Sequence, residues 1–250
     1  MSTRHAMILA AGYGSRLEPE EGHKLLVDIG GQSLLAHHLR NFEHLGVEHL
    51  VVVTGYRGDA LADAIATVAA PKTIDIQCAP NPDFDAGNGG SVLAGVDALV
   101  DGDDVPPFWL TMSDHLYDPQ LFVEGRPRLE AIDDRWAGAL VVDHKLDRIF
   151  DMPDATKVRL RSGDGFDIGK QLGSFDVVDT GLFWCDRDFV DALRTHREET
   201  GDCSTSDAVR RLVADNRFGF VDIGPYLWQD VDTPEAREHA ERLVAEEFGD

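Results

Sequence analysis

His5-Ala6-Met7-Ile8-Leu9-Ala10-Ala11-Gly12-Tyr13-Gly14-Ser15-Arg16-Leu17 is the stretch whose reading decides the fold. Residues 5–9 form an apolar run too short for a helix, and it stops at Ala10-Ala11-Gly12, the pattern of a buried strand entering a glycine-rich loop. Downstream, Ser33 stands where a helix cap is needed. Leu34, Leu35, Leu39, Phe42 and Leu45 then recur at helical spacing until Gly46, a C-terminal stop signal. A second apolar, β-branched run, HLVVVTG, occupies 49–55. A helix near 58–69 and a strand near 73–78 follow. This β-α-β-α-β alternation calls for a mainly parallel sheet covered by helices on both faces, with ligands beyond the carboxyl ends of the strands.

The same reading continues to the C-terminus. PNPDFDAGNGG at 80–90 is a turn-rich loop before the helical SVLAGVDALV, and PFWLTMSDH at 107–115 is a strand ending in Asp114. Beyond it, WAGALVVDH (136–144), ATKVRL (155–160) and FDVVDTGLFWC (175–185) are strands with few helices between them, which predicts an antiparallel, substrate-facing layer. Helices near 187–199 and 206–215, a strand near 217–222 and a charged amphipathic helix at 233–247 complete the chain. The expected fold class is α/β, a single Rossmann-like three-layer domain over 1–250, with a mainly parallel mixed sheet.

With 250 residues, 43% of them hydrophobic, the chain can bury one substantial core. A formal charge of -23 opposes binding to nucleic acid or to anionic lipid. A pocket for phosphates therefore has to be a local positive island, and the lysines, only Lys24, Lys72, Lys145, Lys157 and Lys170, stand out individually. Cys78, Cys185 and Cys203 match neither a disulfide framework nor a zinc spacing, which points to a reducing, cytoplasmic setting. No segment approaches the roughly 20 apolar residues that span a bilayer, so no direct membrane insertion is expected.

In the loop after the first strand, glycines let the backbone approach a polyphosphate, while Arg16 and Lys24 supply positive charge. A lone G-x-G is equally an ordinary βα turn, but LAAGYGSRL with a downstream lysine is far more specific. It resembles the signature loop of the nucleotidyltransferases that make sugar nucleotides and their relatives. The resemblance implies that Leu9, Ala10, Ala11, Gly12, Gly14 and Ser15 wrap a nucleoside triphosphate and that Arg16 and Lys24 act on its phosphates. In the family the lysine is often flanked by prolines; here it lies in Gly22-His23-Lys24-Leu25-Leu26.

Asp114, at the tip of the 107–115 strand, suits a hard cation, although an aspartate after a strand is more often a turn or helix cap. A late acidic cluster, Trp228-Gln229-Asp230-Val231-Asp232-Thr233, offers the second acid that the family's Mg2+ site uses. That ligand is Asp230 or Asp232, with Asp232 alternatively capping the last helix; the fold has to bring either next to Asp114. Asp85-Ala86-Gly87-Asn88-Gly89-Gly90-Ser91 occupies the family's base-contacting position. Asn88, Gly89 and Ser91 are its candidates, since an amide both donates and accepts; equally, the run is a turn before a helix capped near Gly90 or Ser91.

The ordered series TMSDHLY, DATKVR, IGK, FDVVDTG and LWQDVDT, within 7–236, resembles the CTP:inositol-1-phosphate cytidylyltransferases. By that resemblance Lys157 holds the phosphate of the acceptor alcohol, while Asp143, Asp179 and Thr180 line its hydroxyl pocket. The implied substrates are CTP and a small phosphorylated alcohol, and the implied products are CDP-inositol and pyrophosphate. Other enzymatic readings are a cytidylyltransferase for phosphocholine or an aminoalkyl phosphonate, whose amine would need an acidic or aromatic cage, and another sugar-phosphate nucleotidyltransferase. A catalytically silent nucleotide-binding subunit is the non-enzymatic alternative. In the resembling family this domain is often fused to a membrane-embedded phosphotransferase. Residues 1–250 hold none, so either a separate membrane CDP-alcohol phosphotransferase uses the product or the chain serves another pathway.

Overall fold

The structure is a computed structural model that describes residues 3–14, 16–17, 22–68, 70–100 and 104–248. Ser15 of the phosphate loop lies outside the described residues. Strand β1 (His5–Ala10) is followed by a short 3-10 turn at Lys24–Leu26, the small hairpin β2 (Asp28–Ile29) and β3 (Gln32–Ser33), then α1 (Leu34–Leu45), β4 (His49–Thr54), α2 (Gly58–Ile65) and β5 (Asp75–Pro80). Next come α3 (Asn88–Leu99), β6 (Phe108–Met112), β7 (His115–Tyr117) and the one-turn helices α4 (Gln120–Val123) and α5 (Arg126–Leu129). The later half carries β8 (Gly138–Asp143), a 3-10 turn at Leu146–Arg148, β9 (Lys157–Leu160), β10 (Phe166–Gly169) and β11 (Val177–Cys185). Helices α6 (Arg187–Thr200) and α7 (Thr205–Ala214), strands β12 (Phe218–Asp222) and β13 (Trp228–Asp230), and α8 (Pro234–Glu246) end the chain.

The caps explain where helices begin. Ser33 accepts the Ala36 amide at the start of α1, which ends at Gly46 in the left-handed conformation, as the sequence predicts. Helix α3 starts earlier than expected, at Asn88 with Gly87 before it, so Gly90 and Ser91 lie inside the helix and not at its cap. Thr233 caps α8 by accepting the Ala236 amide, which frees Asp232 from that duty.

A nine-stranded sheet has the main order β10-β9-β11-β6-β1-β4-β5, with β8 and then β12 branching from β11. Strands β6, β1, β4 and β5 are mutually parallel. Strand β11 runs antiparallel to β6, β8 and β9, so the predicted antiparallel part continues the central sheet through β11. A separate antiparallel ribbon joins β7 to β13, with Asp230 opposite His115.

Two apolar clusters lie against the sheet. One gathers the α1 stripe (Leu35, Leu39, Phe42) with Tyr117 and Phe122. The other packs α3, α6 and α7 through Val92, Val96, Phe189, Leu193 and Val209. Each fully buried Leu, Val or Phe contributes about 1.5–3 kcal/mol relative to exposure. Among the described residues no helix is long and apolar enough to cross a membrane.

Helix α3 sits close on the sheet because Gly95 has no side chain: a Cβ there would stand 2.7 Å from both Met7 Cε and Val53 Cγ2. Gly95→Ala is expected to cost about 1–3 kcal/mol through overpacking, which lowers the thermal midpoint by roughly 2–12 °C; calorimetry checks it, and an unchanged midpoint contradicts the close approach.

Candidate active site

The carboxyl ends of the parallel strands converge because successive loops are stitched together: Ser113 N donates to Leu9 O (3.1 Å) and Tyr56 N to Ala11 O (2.9 Å). Above them lies a cavity of about 650 Å³, the position an open α/β sheet offers to ligands. Gly12 and Gly14 line its floor beside Arg16 and Lys24. Gly14 is left-handed (φ 62°), and a Cβ there would come within 2.9 Å of Lys24 Cγ, so the glycine is what lets the lysine stem pass under the loop. At its far end Lys24 Nζ donates to Asp114 Oδ2 at 3.0 Å.

Asp114 is held on both oxygens, since His115 Nδ1 lies 2.9 Å from Oδ1. Burial would raise the Asp114 pKa, but the His115 hydrogen bond and the charges of His115 and Lys24 outweigh it and hold the carboxyl far below its usual range. The His115 ring stacks almost parallel on Trp228, with centroids 5.6 Å apart and planes at 6°. Its other edge meets Gly181, left-handed at φ 74°, where a Cβ would stand 2.6 Å from Nε2.

The β7–β13 pairing delivers the late acids to the same place. Val231 N donates to Asp114 O (2.6 Å), and both Asp230 and Asp232 line the cavity with Asp114. Burial raises Asp230 to about 6, opposed by His115 and reinforced by the charges of Asp232 and Asp114. Asp232 is also raised, first by burial and then by Asp114 and Asp154, against Lys24 and Arg16. Arg16 pairs with Asp232. No group of three or more His, Cys, Asp or Glu among the described residues forms a ready-made metal cage.

A match to known proteins completes the picture. Residues 6–149 match the MobA-like NTP transferase domain. The chain belongs to that family. A protein of Rubrobacter xylanophilus named bifunctional IPC transferase and DIPP synthase is 33% identical over 248 residues, 96% of this chain and 51% of that protein. One of the same name from Thermococcus kodakarensis is 32% identical over 249 residues, 98% of this chain and 51% of that protein. The chain therefore spans about half the length of these curated relatives. Among solved structures, an inositol-1-phosphate CTP transferase from T. maritima superposes with a TM-score of 0.78 over 100% of this chain and 99% of the other, at 23% identity. At that identity the likeness establishes the fold.

For this MobA-like NTP transferase chain, most of the residues predicted from sequence meet at the cavity: Leu9, Ala11, Gly12, Gly14, Arg16, Lys24, Asn88, Ser91, Asp114, Asp179, Asp230 and Asp232. Five predicted residues do not line it. Ala10 is buried in β1 and its carbonyl lies 2.9 Å from His23 Nε2, behind the loop. Gly89 spends its amide on Cys203 O, fastening α3 to the segment before α7. Thr180 is fully buried, with its hydroxyl on Val141 O. Asp143 accepts from Lys145 on Oδ1 and from Trp228 Nε1 on Oδ2, so it steadies the indole that stacks on His115. Lys157 is only 7% exposed and turns its ammonium onto Pro153 O at 2.8 Å.

Asn88 lines the cavity, yet its amide is engaged by Thr205: Oδ1 accepts the Thr205 amide (2.9 Å) and Nδ2 reaches Oγ1 (3.3 Å). The lysine that does line the cavity on the side of the later strands is Lys170, just after β10. Its sequence signal was the quoted IGK triplet. Thr205 and Arg210 also line it; their signal was the cap Ser204-Thr205-Ser206-Asp207, a capping box opening α7.

Asp179 tests the cost of building this site. Burial lifts its carboxyl to about 6, although the Gly181 amide donates to Oδ1 at 2.7 Å and His115 lies near. Because the folded pKa exceeds the unfolded value near 4, the charged form penalises folding above pH 6 and the penalty disappears as pH falls toward 4. Asp179→Asn keeps the Oδ1 acceptor and is expected to raise the melting temperature at pH 7 by about 4 °C, with the gain shrinking at pH 4.5. Equal shifts at both pH values would contradict a buried ionised Asp179.

Proposed function

We propose that the chain transfers CMP from CTP to inositol 1-phosphate, giving CDP-inositol and pyrophosphate. The observation that carries the reading is the juxtaposition, in one cavity, of the glycine loop with Arg16 and Lys24, the acids Asp114, Asp230 and Asp232, and the separate cation Lys170. The names of the Rubrobacter and Thermococcus relatives and of the T. maritima structural neighbour support the choice of reactants.

The cofactor is Mg2+. Burial and neighbouring acids raise Asp230 and Asp232, and relief by a hard cation fits those carboxylates. Magnesium is typically held by one or two carboxylates, with phosphate and water supplying the rest. Asp114 with Asp230 or Asp232 would hold it, and when bound it neutralises charge on the reacting phosphates.

The chain's own residues do the remainder. The loop at Gly12 and Gly14 receives the triphosphate, and Lys24 and Arg16 meet its charge. Lys170 receives the acceptor phosphate, and Asp179 accepts from a polyol hydroxyl. A phosphate oxygen of the acceptor attacks the α-phosphorus of CTP in line, a new P–O bond forms, and the bond to the β-phosphate breaks with departure of pyrophosphate. The nucleophile is already an anion, so no general base is required. Positioning two repelling anions and neutralising the developing charge is the catalytic task. The Asp143 carboxylate is engaged by Lys145 and Trp228, which withdraws it from an amine cage and favours a polyol over phosphocholine.

The test is pyrophosphate release over four nucleoside triphosphates and a panel of phosphoalcohols in the presence of Mg2+. Fastest turnover with CTP and inositol 1-phosphate is expected; no release with any pair overturns the reading. Asp114→Ala and Lys24→Ala are each expected to reduce kcat by roughly 100- to 1000-fold while the fold survives by circular dichroism. Lys170→Met should raise the acceptor KM at least about tenfold and leave the CTP KM within a factor of about two. Such a split follows from losing a charge-assisted contact to one substrate only. The reverse split would assign Lys170 to the nucleotide.

A further inference from the structure

Asp154 stands between the two sides of the cavity. Its Oδ1 accepts from Lys170 Nζ at 2.8 Å, and its Oδ2 accepts from both Nη1 and Nη2 of Arg16 at 3.1 Å. Arg16 belongs to the loop after β1 and Lys170 to the segment after β10, so one carboxylate joins cations delivered by two distant segments of the chain. Asp154 rides on the turn 151–154, where its amide donates back to Asp151 O (3.2 Å). The three side chains remain substantially exposed, at 53% for Arg16, 54% for Lys170 and 32% for Asp154. A pair bridged this way is geometrically ready for a tetrahedral anion, since a phosphate also presents separate oxygens to separate cations.

On the reading of Lys170 given above, we infer that Asp154 is an internal stand-in for the acceptor phosphate: it occupies the Arg16–Lys170 gap in the empty enzyme and is displaced when the phosphorylated alcohol enters. Three features of the chemistry lead there. An unneutralised pair of cations would attract small anions, and an internal carboxylate fills the gap between them. A phosphate monoester carries close to two charges and three acceptor oxygens against one charge and two oxygens for Asp154, so it wins the competition that a neutral polyol loses. The contacts Asp154 makes are surface ion pairs, individually weak, so their exchange is cheap and fast. Asp154 is thus a specificity-determining residue: a ligand without a dianionic phosphate does not open the clasp.

Removing the competitor has a signed consequence. Asp154→Asn and, as a second variant, Asp154→Ser should bind inorganic phosphate about tenfold more tightly than wild type by isothermal titration calorimetry, the equivalent of ~1.4 kcal/mol. Both should lower the acceptor KM by a larger factor than the CTP KM, since Lys170 is released toward the acceptor while Arg16, which meets the triphosphate, keeps its pair with Asp232. In the Asp154→Asn/Lys170→Met double variant the gain should vanish, because displacement matters only while Lys170 is there to be released. A residue that merely holds Lys170 in place predicts the opposite sign, so weaker or unchanged phosphate binding in both single variants overturns the inference. Phosphate titration needs no turnover. Failure of the proposed reaction would appear as absent pyrophosphate release in wild type, and failure of this inference as a wrong-signed phosphate affinity.

Discussion

The ion pair between Lys24 and Asp114 is the contact on which the site depends. It joins the loop that follows the first strand to the tip of the sixth, across 90 residues of sequence. Its geometry requires Gly14 to be bare and left-handed so that the lysine stem can pass. It also requires Asp114 to be steadied from behind by His115, which is in turn clamped between Trp228 and Gly181. Asp143 holds the Trp228 indole in place. A chain of buried contacts thus runs from the sheet interior to one carboxylate, the kind of supporting shell that fixes a reacting group to within a fraction of an ångström.

Electrostatics gives that arrangement its purpose. The proposed reaction needs two polyanions to meet on a molecule of charge -23, which is possible only where cations locally offset that charge. The fold achieves this with few cations, each spaced by an acid: Lys24 on Asp114, Arg16 on Asp232 and Asp154, Lys170 on Asp154. Such alternation pairs each of these cations with an acid. Asp179 and Asp230, both raised to about 6 by burial, show the stability given up to keep acids in a partly desolvated pocket.

The fold supplies the stage through ordinary packing. Parallel strands β1, β4, β5 and β6 end together, so the loops after them share one rim, while α3 and α7 start at that rim and are tied to each other through Asn88 and Thr205. The match over 6–149 to the MobA-like NTP transferase domain covers the parallel half. The later strands, which bring Lys170 and Asp179, lie beyond it and are joined to the sheet through β11.

What the sequence by itself determined is set by local rules. The apolar run at 5–9 stopping at a glycine loop, the helical stripe between Ser33 and Gly46, and the acids at 114 and 230–232 all carry their meaning in spacing. These elements appear where expected, and the loop and the acids line one cavity. Which side of a strand faces that cavity was decided only by tertiary structure. Thr180 and Lys157 were plausible by motif, yet Thr180 points into the sheet and Lys157 onto Pro153 O. Lys170 and Asp154 were quoted without a role, because the contact that joins them to the phosphate loop, Asp154 with Arg16, spans 138 positions. A single-residue shift of strand register reverses every side chain, and a loop ion pair depends on the path of the whole chain between its ends; neither quantity is written in any local pattern.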